Sequence, residues 1–165
     1  FNKTKLVKMK VTLIAVGKTD SGAISALADE YQKRLSRYCS FTLLIAKTLT
    51  KSKNLSEKEI LDYEAKEILK HLNPKAFVIA LDDKGQEKSS IAFAQFIGQK
   101  RDLGISECCF LIGGAYGFST RLDALIQVKL SLSKMTFTHQ MVRPIFLEQL
   151  YRAFTILNNE PYHHE

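Results

Sequence analysis

The chain has 165 residues, 45% hydrophobic and 25% charged, the proportions of an ordinary globular protein long enough to form one core. No apolar run approaches the roughly 20 residues of a membrane helix, and no signal-peptide-like stretch opens the chain, which points to the cytoplasm. A net charge of +7, from 24 basic and 17 acidic residues, favours a polyanionic partner, nucleic acid first.

Residues 1–8 carry Lys3, Lys5 and Lys8 ahead of Met9, where Met9-Lys-Val-Thr-Leu-Ile14 reads as a natural start. They are taken as an upstream extension or tag remnant, leaving a single domain over 9–165. Lys10–Val16 is an apolar, β-branched run ended by Gly17, a buried strand. Ser21–Tyr38 places Ile24, Leu27, Ala28, Tyr31, Leu35 and Tyr38 at helical spacing. Phe41–Ala46 reads as a second strand. Lys47–Leu55 is polar, lacks apolar period and is expected to be a mobile loop; Lys47, Lys51 and Lys53 there are surface charges or RNA contacts. Ser56 and Glu59 form a capping-box pattern that opens a helix running to about Leu72, before Asn73-Pro74.

Ala76–Leu81 is the next strand, expected to turn at Asp82-Asp83-Lys84-Gly85. A helix over Ser89–Arg101 and a strand over Glu107–Ile112 follow. The glycine loop Gly113–Gly117 leads to a short helix expected over Ser119–Gln127, then a strand over Val128–Leu132. The last helix is expected to begin near His139 and bend at Pro144. Strands alternating with helices predict an α/β sandwich with a mostly parallel sheet.

Cys39, Cys108 and Cys109 show no CxxC spacing and read as buried reduced thiols. His139, His163 and His164 lack the HExxH or paired-cysteine context of a metal site, so no metal is expected. Ligands of open α/β sheets bind beyond the carboxyl ends of strands. Here those ends are the loops after Leu81, Ile112 and Leu132. Gly113-Gly-Ala-Tyr-Gly117 lets backbone approach a ligand closely but does not fit GxGxxG, which argues against a dinucleotide. No GxSxG elbow accompanies the serines, which argues against a hydrolase. Arg143 and Arg152, nine apart, project from opposite faces of a straight helix. Arg152, Tyr162, His163 and His164 read either as a basic aromatic patch suited to stacking a base and gripping phosphate or, for the terminal His-His-Glu, as a frayed tail.

With these segments placed, the chain resembles the ribosomal RNA large subunit methyltransferase H family, of the SPOUT class. The matching stretches are Met9-Lys-Val11, Ala15-Val-Gly17, Val78-Ile-Ala-Leu-Asp82, Ile112-Gly-Gly-Ala-Tyr-Gly117 and Leu130-Ser-Leu-Ser-Lys-Met-Thr-Phe137 with His139. Val142-Arg143, Glu148-Gln-Leu-Tyr-Arg-Ala153 and Pro161-Tyr-His163 complete them. The resemblance implies a SPOUT α/β domain with a C-terminal trefoil knot, an exception to the rule against knots. It implies S-adenosylmethionine as cofactor, held by Leu81, Gly113, Leu132, Ser133, Lys134, Met135, Thr136 and Phe137. It further implies a homodimer that methylates N3 of a pseudouridine in 23S rRNA, on the assembled ribosome.

Methylating N3 requires loss of a weakly acidic NH proton. The candidate catalytic residues are Tyr162 and His163 for that proton, with Arg152 or Arg143 stabilising developing negative charge. The chain departs from the family pattern at His164, where many members carry Arg or Lys, at Thr138 in place of a proline, and at Pro144. A non-catalytic ribosome- or RNA-binding protein of the same fold is the alternative reading.

Overall fold

The computed structural model describes residues 8–19, 22–49 and 54–164. In chain order the elements are β1 (Lys10–Val16), α1 (Gly22–Leu35), β2 (Ser40–Ala46), α2 (Glu57–His71), β3 (Phe77–Glu87), α3 (Ser90–Asp102), β4 (Glu107–Ile112), a 3-10 turn (Thr120–Leu122), β5 (Val128–Ser131) and α4 (Val142–Leu157). The strands form one five-stranded parallel sheet in the order β2-β1-β4-β3-β5.

Parallel sheets carry cover on both faces, which is why β1 and β4 are nearly unbroken apolar runs. Val11, Leu13 and Ala15 join the larger core with Leu35 of α1, Ile97 of α3, and Phe146 and Leu150 of α4. The alternate residues Ile14 and Val16 join Ala65 and Ile68 of α2. Helices therefore pack on both sides of the sheet, as the alternating pattern predicts. The capping box is present: Ser56 N–H donates to Glu59 Oε2 (2.8 Å) and Glu59 N–H to Ser56 Oγ (3.3 Å). Cys39, Cys108 and Cys109 are buried free thiols, which burial pushes up to about 12, 11 and 12.

Three expectations are corrected. First, β3 does not end in a turn at Asp82. It continues to Glu87, and its register against β5 shifts between Leu81 and Gln86, so Asp82–Gly85 bulges off the ladder. Second, the helix expected over Ser119–Gln127 is only the Thr120–Leu122 turn. Gln127 is clamped to Val78, its N–H donating to the Val78 carbonyl (3.0 Å) and its Oε1 accepting from Val78 N–H (2.6 Å), which holds this segment extended beside β3. Third, α4 begins at Val142 rather than near His139. Pro144 thus falls in the first turn, where a missing N–H costs no helical bond, and no bend is needed. Lys51 and Lys53 of the expected mobile loop lie outside the described residues.

Candidate active site

A cavity of about 480 Å³ opens at the carboxyl ends of β3, β4 and β5, within the roughly 300–1,000 Å³ of small-molecule sites. Seven of the eight expected cofactor residues line it: Leu81, Gly113, Leu132, Ser133, Met135, Thr136 and Phe137. Lys134 is not part of the wall. Ile112, Leu130 and Phe118 add apolar surface, and Asp82 and Asp83 add carboxylates. Among the described residues no Lys or Arg lines the cavity.

Two loops give the cavity its shape. The glycine loop folds onto itself through a Gly114–Gly117 bridge. A Cβ at Gly113 would stand 2.5 Å from the Gly117 carbonyl oxygen, so this approach excludes any side chain. In the second loop, Ser131 Oγ donates to the Ser133 carbonyl (2.8 Å), and Met135 N–H donates to Ser133 Oγ (2.9 Å). These serines hold backbone. Met135 is left 75% exposed at the mouth, with Phe137 and Met141 also exposed.

The C-terminal tail builds a second cluster on α4. Arg152 Nε donates to Glu148 Oε1 (3.1 Å), and Nη2 pairs with the same oxygen. Tyr162 Oη donates to Glu148 Oε1 (3.2 Å) and lies 3.4 Å from Tyr31 Oη. Its ring packs edge-on against Tyr151, with the Arg152 guanidinium 4.8 Å from its centre. Burial, with Tyr31 and Glu148 close by, raises the Tyr162 phenol well above its ordinary value, so it stays protonated and serves as a donor. Arg152 Nη1 lies 3.3 Å from His163 Nδ1. Guanidinium only donates, so the network assigns Nδ1 as acceptor and leaves the proton of a neutral ring on Nε2. That Nε2 is buried without a hydrogen-bond partner among the described residues.

Arg143 stands apart from this cluster, on the opposite face as its nine-residue offset predicts. It is 1% exposed. Nε donates to the His139 carbonyl (3.2 Å), Nη1 to Thr19 Oγ1 (2.8 Å), and Nη2 to the carbonyls of Val16 (2.8 Å) and Gly17 (2.7 Å). Its charge and its donors are engaged in joining β1 to the turn before α4.

Residues 9–163 match the family model described as a predicted SPOUT methyltransferase. The chain belongs to the SPOUT methyltransferase family. Over 157 residues it is 45% identical to the ribosomal RNA large subunit methyltransferase H of Parabacteroides distasonis, covering 95% of this chain and 100% of that one. Over the same length it is 48% identical to the protein of that name from Flavobacterium psychrophilum, again covering 95% and 100%. This places it with the large subunit methyltransferase H branch of the SPOUT family. Among solved structures, a probable methyltransferase from Bordetella pertussis aligns with TM-score 0.59 at 13% identity, covering 88% of this chain and 95% of that one. A probable methylase family protein from Haemophilus influenzae aligns with TM-score 0.54 at 14% identity, covering 97% and 72%. At such identities these two establish the shared fold.

Sequence reasoning missed several groups in this SPOUT site. Asp82 and Asp83 read as turn residues of the loop after Leu81, and His139 as a histidine without metal-site context within a matching stretch, none with a place in the pocket wall, yet all three line the cavity. Glu148 was missed as the hub of the tail cluster, although its spacing of four from Arg152 is the usual helical ion-pair signal.

Proposed function

We propose that this chain is an S-adenosylmethionine-dependent methyltransferase of ribosomal RNA, acting on N3 of a pseudouridine in 23S rRNA within the assembled ribosome. The observation that carries the reading is the character of the cavity wall. Its apolar surface and close-packed glycine backbone suit a nucleoside-like group, while two aspartates, with no Lys or Arg among the described residues of that wall, suit a cation. A dinucleotide would bring phosphates against those aspartates, and is disfavoured. The family relationship and the names of the relatives point the same way.

The cofactor supplies an electrophilic methyl group on a sulfonium. Leu81, Ile112, Leu130 and Leu132 would exclude water around it, and the backbone at Gly113 and Ser133–Phe137 would offer hydrogen bonds that fix its orientation. The tail cluster fits the nucleotide. As N3 gives up its proton to solvent, negative charge spreads onto the flanking carbonyl oxygens. The guanidinium of Arg152 is a donor suited to that charge, with His163 Nδ1 against its Nη1 to hold it in place. Tyr162, held protonated, positions Glu148 and hence Arg152, and is not itself the base. Arg143 acts by holding the pocket together.

The cavity and the tail do not meet within one protomer. Val142 lines the cavity, whereas Arg152 lies ten residues along α4, about 15 Å away at 1.5 Å per residue. We assign their union to a homodimer in which one protomer's tail faces its partner's cavity; the exposed Met135, Phe137 and Met141 are apolar surface for that contact. The C-terminal knot belongs to the same reading. Titration calorimetry with S-adenosylmethionine tests the cavity: Leu132→Trp, which fills it, should abolish binding, and unchanged binding would refute the assignment. Binding of the cofactor by the wild-type protein also separates this reading from a non-catalytic RNA-binding protein.

A further inference from the structure

Glu64 is a carboxylate in an unexpected place. It sits on the sheet-facing side of α2, 4% exposed. Oε1 accepts from Thr48 Oγ1 (2.6 Å). Oε2 is buried with no hydrogen-bond partner among the described residues. A half-satisfied buried carboxylate costs stability, and burial accordingly raises its pKa, against the lowering influence of Thr48 and His139. Packing alone would favour an apolar residue here.

The carboxylate packs against the glycine loop. A Cβ added at Gly114 would lie 2.7 Å from each Glu64 oxygen. Gly114 lines the cavity. Two residues earlier on α2, Asp62 accepts from Ser119 Oγ (3.1 Å) and pairs with Arg121 (3.3 Å), just beyond the loop. One helix thus supports the loop at two points, through Glu64 beneath Gly114 and through Asp62 at its exit. Thr48 adds a third element, since it follows β2 and its methyl stands 3.4 Å from where a Cβ on Gly17 would lie.

We propose that Glu64 is a positioning residue for the methyl-transfer site: anchored by Thr48, it sets where Gly114, and with it the cavity wall, stands. The proposal rests on the reading that the cavity holds S-adenosylmethionine. It explains why an expensive group is kept at this point, since sites of this kind exchange stability for placement.

The test compares wild type, Glu64→Met, Glu64→Gln and Leu132→Trp, with thermal melts, calorimetric titration of S-adenosylmethionine, and methyl-transfer kinetics on ribosomes. Methionine keeps the volume and removes both oxygens; glutamine keeps an oxygen for Thr48. The expected result is a split. Glu64→Met melts no lower than wild type, while its KM for the cofactor rises about tenfold and kcat at saturating cofactor changes little, the mark of lost binding rather than lost chemistry. Glu64→Gln recovers part of the KM. Thr48→Val, which removes the anchor and leaves the carboxylate, raises KM in the same direction. The proposal is overturned if the Glu64 and Thr48 variants keep wild-type KM while Leu132→Trp loses the cofactor. It is equally overturned if Glu64→Met loses melting temperature and kcat together at constant KM, the mark of a purely structural role. If Leu132→Trp binds normally, the cavity reading itself fails and takes this proposal with it.

Discussion

Arg143 Nη2 donates to the carbonyl oxygen of Gly17 at 2.7 Å, fastening the first turn of α4 to the exit of β1. The same nitrogen reaches Val16, and Nε holds the carbonyl of His139, a cavity residue. A guanidinium meets three backbone carbonyls at once because its donors spread in a rigid fork. Removing it leaves those carbonyls buried and unpaired. Arg143→Ala should lose about 3 kcal/mol of unfolding free energy, measured by urea denaturation. Arg143→Lys should recover part of this, since one ammonium cannot cover the same set. A full-length, stable Arg143→Ala protein with selectively lost kcat would instead place Arg143 in direct contact with substrate.

Tyr162→Phe deletes the hydroxyl that reaches Glu148 and Tyr31 and leaves the ring against Tyr151. Turnover should fall steeply while calorimetric affinity for S-adenosylmethionine is kept, because no described tail residue of the same protomer lines the cavity. Deleting residues 161–165 should give the same separation. If the Tyr162→Phe enzyme turns over normally, the Tyr162 hydroxyl has no part in placing Arg152; if the protein lacking residues 161–165 does so too, the tail has no part in the chemistry.

Glu107 makes acid stability specific. Burial pushes its carboxyl up, but hydrogen bonds from Thr12 (2.6 Å) and Asn73 (2.7 Å), with Lys10 beside it (3.3 Å), outweigh burial and hold it below the usual 4.5. A carboxyl held low in the folded state stabilises above its unfolded value and loses that contribution as pH falls through the lower folded one. Glu107→Gln should therefore cost about 2 kcal/mol at pH 7, with the gap to wild type closing below about pH 4.5. Paired melts across pH 3–7 check this.

The elements with strong local signals were legible from sequence. Ser56 and Glu59 mark the start of α2, Ser89 caps α3, and the Glu107–Ile112 run coincides with β4. The pocket loops were legible because ligands of open α/β sheets bind beyond the carboxyl ends of strands, where the loops after Leu81, Ile112 and Leu132 lie. What escaped depends on long-range contacts. The Gln127–Val78 clamp that suppresses a helix joins residues far apart in the chain. So do the sites of Glu64, which helical spacing sets on the apolar face of α2 without naming its partners Thr48 and Gly114, and of Arg143, whose partners include the end of β1. Periodicity reports which face is apolar; it does not report which charged residue is kept inside for placement.

His164 should weaken the tail's hold on RNA relative to a fixed cation at that position. His164→Arg should lower the KM for ribosomes and make it more sensitive to salt, as each added phosphate contact steepens salt dependence. Steady-state assays between 50 and 200 mM salt read this directly. An unchanged salt slope would mean that position 164 does not meet phosphate.

The central claim is tested most directly by transferring labelled methyl from S-adenosylmethionine to 70S ribosomes that lack the modification, then mapping the 23S rRNA by mass spectrometry. Label is expected on N3 of a single pseudouridine, lost in the Leu132→Trp variant and strongly reduced in Tyr162→Phe. Cofactor binding without any label in 23S rRNA would contradict it.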